Sequence, residues 1–153
     1  MLSEKKVATE RVASPQVGQG AIEFWSGDAL LRMNETPYFV EFHARWQQLA
    51  VHGTPRLKAL LDNAPDMVRR HMQLVLQIPD DFIFVHEGDR AKALLGRDAC
   101  GVLRSEIPTA AAKEITWLLK AAAKHLHPVY FRFSTPREHG MLHVEELALP
   151  VVS

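Results

Sequence analysis

Apolar positions recur at three- and four-residue steps through "TPYFVEFHARWQQLAV", where Phe39, Phe42, Trp46 and Leu49 fall on one face, and this spacing predicts a helix. Thr36 stands where a capping residue belongs, and Pro37 occupies the first helical position, which its fixed φ favours. Gly53-Thr54-Pro55 ends the helix, and "RLKALLDNAPDMVRRHM" predicts two short helical segments, the second starting at Asp62 or Asn63 ahead of Pro65. The period then changes. "QLVLQI" and "FIFVHE" are β-prone runs separated by Pro79-Asp80-Asp81, a turn of the length that joins adjacent antiparallel strands.

"GDRAKALLG" follows as a short helix with Ala91, Leu94 and Leu95 on its apolar side, and Thr109 to Leu126 reads as a longer one. In the longer helix Ile115, Leu118, Leu119, Ala122 and Leu126 form a stripe, while Lys113, Lys120 and Lys124 lie elsewhere, so it packs on a sheet by one side. Two closing strands are predicted, "PVYFRF" with Val129, Phe131 and Phe133 alternating against Tyr130 and Arg132, and "MLHVEELAL". In the last strand Leu142 and Val144 have one parity and Leu147 and Leu149 the other, which a bulge near Glu145-Glu146 would reconcile. Two hairpins flanking a helical segment predict an α+β fold, an antiparallel sheet with helices grouped on one face and a helical N-terminal extension.

The preceding residues read differently. Residues 1–20, with "SPQVGQG" at their end, are expected to form an arm, and Ile22, Phe24, Trp25, Leu30, Leu31 and Met33 need cover from the domain itself or from a second copy. The expected division is therefore 1–36, an N-terminal arm and candidate dimerisation segment, and 37–153, the folded domain. The 153 residues carry 18 basic and 18 acidic side chains, so no net field attracts nucleic acid or an anionic membrane. One cysteine excludes an internal disulfide, no apolar run reaches the roughly 18 residues that span a bilayer, and the N-terminus lacks a signal-peptide core. A cytoplasmic location is the expectation.

The centre of the chain, "FIFVHEGDRAKALLGRDACG", resembles a PAS domain, the small sensory and interaction module of signalling proteins. Gly88 takes the place of the turn residue after a strand, Ala91, Leu94 and Leu95 form the short helix, Gly96 closes it, and Gly96, Arg97, Asp98 and Gly101 match a bacterial variant with G-R-D-x-x-G after the helix. Trp46, Thr54 to Arg56 and Pro65-Asp66-Met67 resemble its lead-in, so the likeness covers roughly residues 39–150. The resemblance implies a non-catalytic sensor that binds a small ligand or a partner protein and relays a conformational change to an output module or across a homodimer. It implies a pocket lined by Phe82, Phe84, His86, Leu95, Trp117, Leu118 and Phe131, a scaffold turn held by Gly88, Gly96, Asp98 and Gly101, and a dimer surface at Phe39, Phe42 and Trp46. The output is expected in a further module of a larger protein or in a partner bound in trans.

The chemistry-bearing residues add little to this. Eight histidines include His125-x-His127 and the pair His139 and His143, but no Cys pair or His-Glu-x-x-His accompanies them, so no metal ligand is assigned. His86 shares strand parity with Phe82 and Phe84; it lines the cavity if that face is the core, and is otherwise exposed at the strand end. No cofactor is assigned; haem or another small ligand is the candidate class, with His86 or His71 as the haem ligand. The carboxylate pairs Asp80-Asp81, Glu87/Asp89 and Glu145-Glu146 read as turn or opposite-face residues, and Cys100 as a buried or inert thiol. The alternative function is a small α+β enzyme with a cone-shaped pocket and His86 or Asp89 as its base.

Overall fold

The computed structural model describes residues 9–12, 22–26, 36–107 and 111–153. Leu30, Leu31, Met33 and the expected helix start at Thr109 lie outside these residues. The strands are β1 (Thr9–Val12), β2 (Ile22–Ser26), β3 (Gln73–Ile78), β4 (Asp81–Glu87), β5 (Val129–Arg137) and β6 (Gly140–Ala148). The helices are α1 (Pro37–Leu49), α2 (Leu57–Leu61), α3 (Asp66–His71), α4 (Asp89–Leu95) and α5 (Ala112–His125), with single tight turns at Ala50–His52 and Arg104–Glu106. The class is α+β with antiparallel pairing throughout its named strands.

The two expected hairpins do not share one sheet. β5 and β6 lie in a four-stranded sheet of order β1-β2-β5-β6, while β3 and β4 form a sheet of their own. β2 belongs to the segment expected to be an arm, yet it pairs with β5 and places Phe24 opposite Phe131. Ile22 is 0% exposed and lies in the main core with Phe24, so a boundary at residue 36 cuts through the fold, and the domain itself covers these two residues.

Both faces of the larger sheet are covered. On one, α5 brings Ile115, Leu118 and Ala122 against Ile22, Phe24, Val129, Phe131 and Phe133. On the other, Tyr130 packs with Trp25, Leu147 and Phe39 of α1, the Phe39 and Tyr130 rings meeting edge to face. The expected grouping of helices on one face is corrected by this contact. Apolar cover on both faces also removes the parity conflict in β6: its register with β5 is unbroken from Val129↔Ala148 to Arg137↔Gly140, without the expected bulge. Leu142 and Val144 look one way, Leu147 the other, and each finds apolar neighbours or a cleft wall there.

α1 is held in place from several sides. The Trp46 indole Nε1 donates to the Pro150 carbonyl at 2.7 Å, and Arg45 donates to the carbonyls of Ala59, Leu60 and Asp62 at the end of α2. Trp46 is buried and Phe39 and Phe42 are half-buried, so the residues expected to form a dimer surface pack largely within their own chain. Thr36 stands at the N-cap, but its hydroxyl donates to the Glu145 carboxylate of β6 instead of to the helix. Asp62 and Asn63 do not start α3, whose cap is Pro65.

A bulge does occur, in the smaller sheet. Leu74 pairs with His86 but Val75 pairs with Phe84, leaving Val85 as the extra residue of β4. The parity of β4 therefore flips after Phe84: Phe82, Phe84 and Glu87 point inward, while Val85 and His86 are exposed. The chain then turns at Gly88 with φ −69°, so glycine is not required there for its conformational freedom. It is required for proximity. A Cβ at this position would lie 2.2 Å from the Arg70 carbonyl oxygen and 2.4 Å from that of Arg69, both backbone atoms that cannot swing aside. Gly96, by contrast, ends α4 in the left-handed region at φ 73°, its N–H bonded to the Lys92 carbonyl.

Two outcomes follow from this packing. Gly88→Ala is expected to cost about 3 kcal/mol, because α3 and α4 must separate to admit one methyl group; urea denaturation reads this, and a loss under about 1 kcal/mol refutes it. Burial holds the His43 imidazole below its ordinary pKa of 6.5, so the unfolded chain takes up that proton first. Stability from this residue is present above pH 6.5 and is lost as pH falls below it. Asp81 and Asp98, whose carboxyls are held below their ordinary 3.8, lose theirs only at lower pH. The melting temperature of His43→Met should therefore vary less between pH 7.5 and about 5 than that of the parent; identical slopes remove His43 as the cause.

Candidate functional site

Where the two sheets approach, α4 and the turn Arg104–Glu106 stand over β5 and β6 and leave a cleft of about 100 Å3. Its apolar wall is Leu94, Ile107, Phe133, Leu142 and Val144; its polar groups are His71, Gln73, Arg97, Arg104, Thr135, Arg137, Glu145 and Glu146.

The polar groups follow from strand parity. Without a bulge in β6, Glu146 shares the face of Leu142 and Val144 and lies directly opposite Phe131. A carboxylate on that apolar face needs a cation, and Arg104 supplies it: Nη2 donates to Oε1 at 3.1 Å and to Oε2 at 3.3 Å. Arg104 is 3% exposed and Glu146 28%, so the arginine is the more deeply committed partner. The guanidinium also lies over the Phe84 ring, 5.7 Å from its centroid. Phe84 is packed in turn by Ala99 and Ile107, which ties the arginine to the small-sheet side of the cleft.

A second arginine crosses the same gap. Arg137 of β5 donates from Nη2 to the Leu94 carbonyl at 2.8 Å, in the last turn of α4, where a cation suits the exposed carbonyls. Glu145, adjacent to Glu146 but on the opposite face, accepts from Thr36 at the start of α1. Successive residues of β6 are thus bonded to the cleft on one side and to α1 on the other.

The turn after α4 is organised by Glu87, which the bulge sends inward. It is 4% exposed, and its two oxygens accept from Gln73 Nε2 and from the Ala99 N–H, each at 2.7 Å. Asp98 accepts from the Cys100 N–H at 2.9 Å, closing the turn, and Gly101 and Val102 exchange backbone bonds with Phe84 along the outer edge of β4. Glu87, Asp98 and Cys100 bring ligand-type atoms within 4.8 Å of one another. The bonds just described account for their positions without an ion. Cys100 is exposed, not buried, and desolvation together with the Asp98 carboxylate holds its thiol above the ordinary value, which leaves it a poor nucleophile.

The residues expected to line a pocket are placed elsewhere. Phe84, Leu118 and Phe131 are packed in cores and Phe82 is buried, and none of these four borders the cleft; Leu95 is the last residue of α4. Trp117 is 53% exposed with one edge against Phe24, because α5 turns that position away from the sheet. His86 is exposed by the bulge, so haem ligation from inside a pocket through this residue has no geometric basis. His71 borders the cleft, with Nδ1 2.9 Å from the Met67 carbonyl. Asp89 is bound to Arg70 at 3.0 Å, and that bond lowers its pKa, opposite to the shift a general base near neutrality needs. A second concavity of about 600 Å3 lies between α3 and α4, lined by Met67 and Leu94 together with Arg70 and Arg90.

Arg104, Arg137 and the inward Glu146 were not singled out from the sequence as site residues. The usable signal was Glu146, a charge in phase with Leu142 and Val144. No family model, curated protein or solved structure matches the chain. Among the described residues no helix is long and apolar enough to cross a membrane.

The unequal burial of the ion pair has a measurable consequence. Glu146→Ala leaves a buried guanidinium without its counter-charge and is expected to cost about 3 kcal/mol, whereas Arg104→Met leaves a carboxylate that can rehydrate and should cost less. Equal losses in chemical denaturation would contradict this ordering.

Proposed function

We propose that the chain is a PAS-type sensory and interaction domain without catalytic activity of its own, in which the cleft receives a small ligand and β6 relays its presence to α1. The observation that carries this reading is the adjacency of Glu145 and Glu146, one bonded to α1 and the other to the wall of the cleft. A ligand shifts such an element only by binding its two arrangements unequally, and a side chain that is both cleft wall and tie provides the difference. The α+β class, the glycine-bounded α4 and its place beside the cleft support the same reading. The enzyme alternative relied on His86 or Asp89 as a base in an apolar cavity, and both are exposed and outside the cleft. The partners in this reading are the ligand and an output module, partner protein or second copy that senses α1.

Hydrogen exchange tests the relay. Glu146→Ala should speed exchange at Phe39 and Val40, whose amides bond the Thr36 carbonyl, as well as around Arg104. Val144→Ala, chosen to weaken the core without touching either tie, serves as the control. If the α1 amides respond no more to Glu146→Ala than to the control, the relay is refuted.

A further inference from the structure

We propose that the cleft is a binding site for a short-chain carboxylate, which takes Arg104 in competition with Glu146; this rests on the sensory reading of the same cleft. Arg104 is nearly buried, yet only its Nη2 is engaged, and Nε and Nη1 have no partner among the described residues. A guanidinium presents five N–H donors in a planar fork that matches a carboxylate, and no nitrogen of Arg104 is both buried and unpartnered, so the donors that Glu146 does not use are open to an anion entering the cleft. Arg97 borders the same space with no partner among the described residues, and Arg137 uses only Nη2. Arg97, Arg104 and Arg137 border the cleft, where Glu146 is bonded to Arg104 and the carboxylate of Glu145 is turned to Thr36 on the other face of β6, so positive charge is in excess there.

The remaining wall selects the rest of the ligand. Ile107, Phe133, Leu142 and Val144 offer nothing to a polar tail and cover a short apolar one. The volume of about 100 Å3 equals roughly three waters at ~30 Å3 each, room for the carboxylate head and its first carbon, so that only a short tail of a few carbons can follow along the apolar wall at the mouth. Phosphate satisfies the guanidiniums but leaves the apolar wall bare. Glu146 is the more exposed member of its pair and can turn to solvent when displaced.

Titration of the full chain with sodium butyrate, followed by amide NMR at constant ionic strength, tests the assignment. Saturable shifts are expected at Arg104–Ile107 and Leu142–Glu146. Glu146→Gln, which weakens the internal competitor, should bind butyrate about tenfold more tightly, and Arg97→Gln, at an exposed position, about tenfold more weakly. The proposal is overturned if 1-butanol binds as well as butyrate, if phosphate saturates the same amides where butyrate does not, or if Glu146→Gln weakens binding. A neutral molecule saturating the cleft would remove the carboxylate assignment while leaving the sensory reading intact. Butyrate binding with no response at Phe39 and Val40 would support the site and remove the relay.

Discussion

A carboxylate on the apolar face of a sheet is the constraint around which the rest of this molecule is arranged. Glu146 is in register opposite Phe131 and cannot leave that face without a break in β6. Its charge is tolerable because Arg104 comes to it from the other side of the cleft, lying over the ring of Phe84, which Ala99 and Ile107 pack. Phe84 in turn depends on the backbone bonds of Gly101 and Val102 along the outer edge of β4. The ion pair is consequently one of the points at which two separately hydrogen-bonded sheets become one structure.

Two sheets joined by side chains differ physically from one sheet joined by a ladder. Backbone ladders are cooperative, and their strands move together; a guanidinium–carboxylate contact can be exchanged for another anion at small cost. The second crossing, Arg137 to the Leu94 carbonyl, is of the same exchangeable kind. The cleft lies between these two ties, which explains why it is both polar and narrow. It also sets its response: whatever enters changes the balance of charge at β6, and β6 carries the Thr36 contact to α1 on its other face.

Several elements were legible because their causes are local. The α1 stripe, the strands of both hairpins and the ends of α4 follow from apolar spacing and turn chemistry that act within a few residues. The bulge was misplaced because the parity conflict in β6 was visible and the one in β4 was not: Phe82, Phe84 and His86 look regularly spaced, and only the partner strand shows that Val85 is extra. The site was hidden for a related reason. Glu145-Glu146 reads as an opposite-face pair, or as a bulge when the strand has one dry face, and becomes two separate ties once α1 and α5 cover both faces.

By itself, the amino-acid sequence determined the α+β class, the positions of most helices and strands, and the glycine-bounded turn around α4, since propensity, periodicity and backbone sterics operate over short separations. Only the tertiary structure decided that β2 joins β5, that Gly88 is needed for the close approach of the α3 carbonyls, and that Arg104 meets Glu146 across 42 residues of chain. Such contacts depend on which faces are covered and which edges remain open, and those are properties of the assembled layers, absent from any one segment.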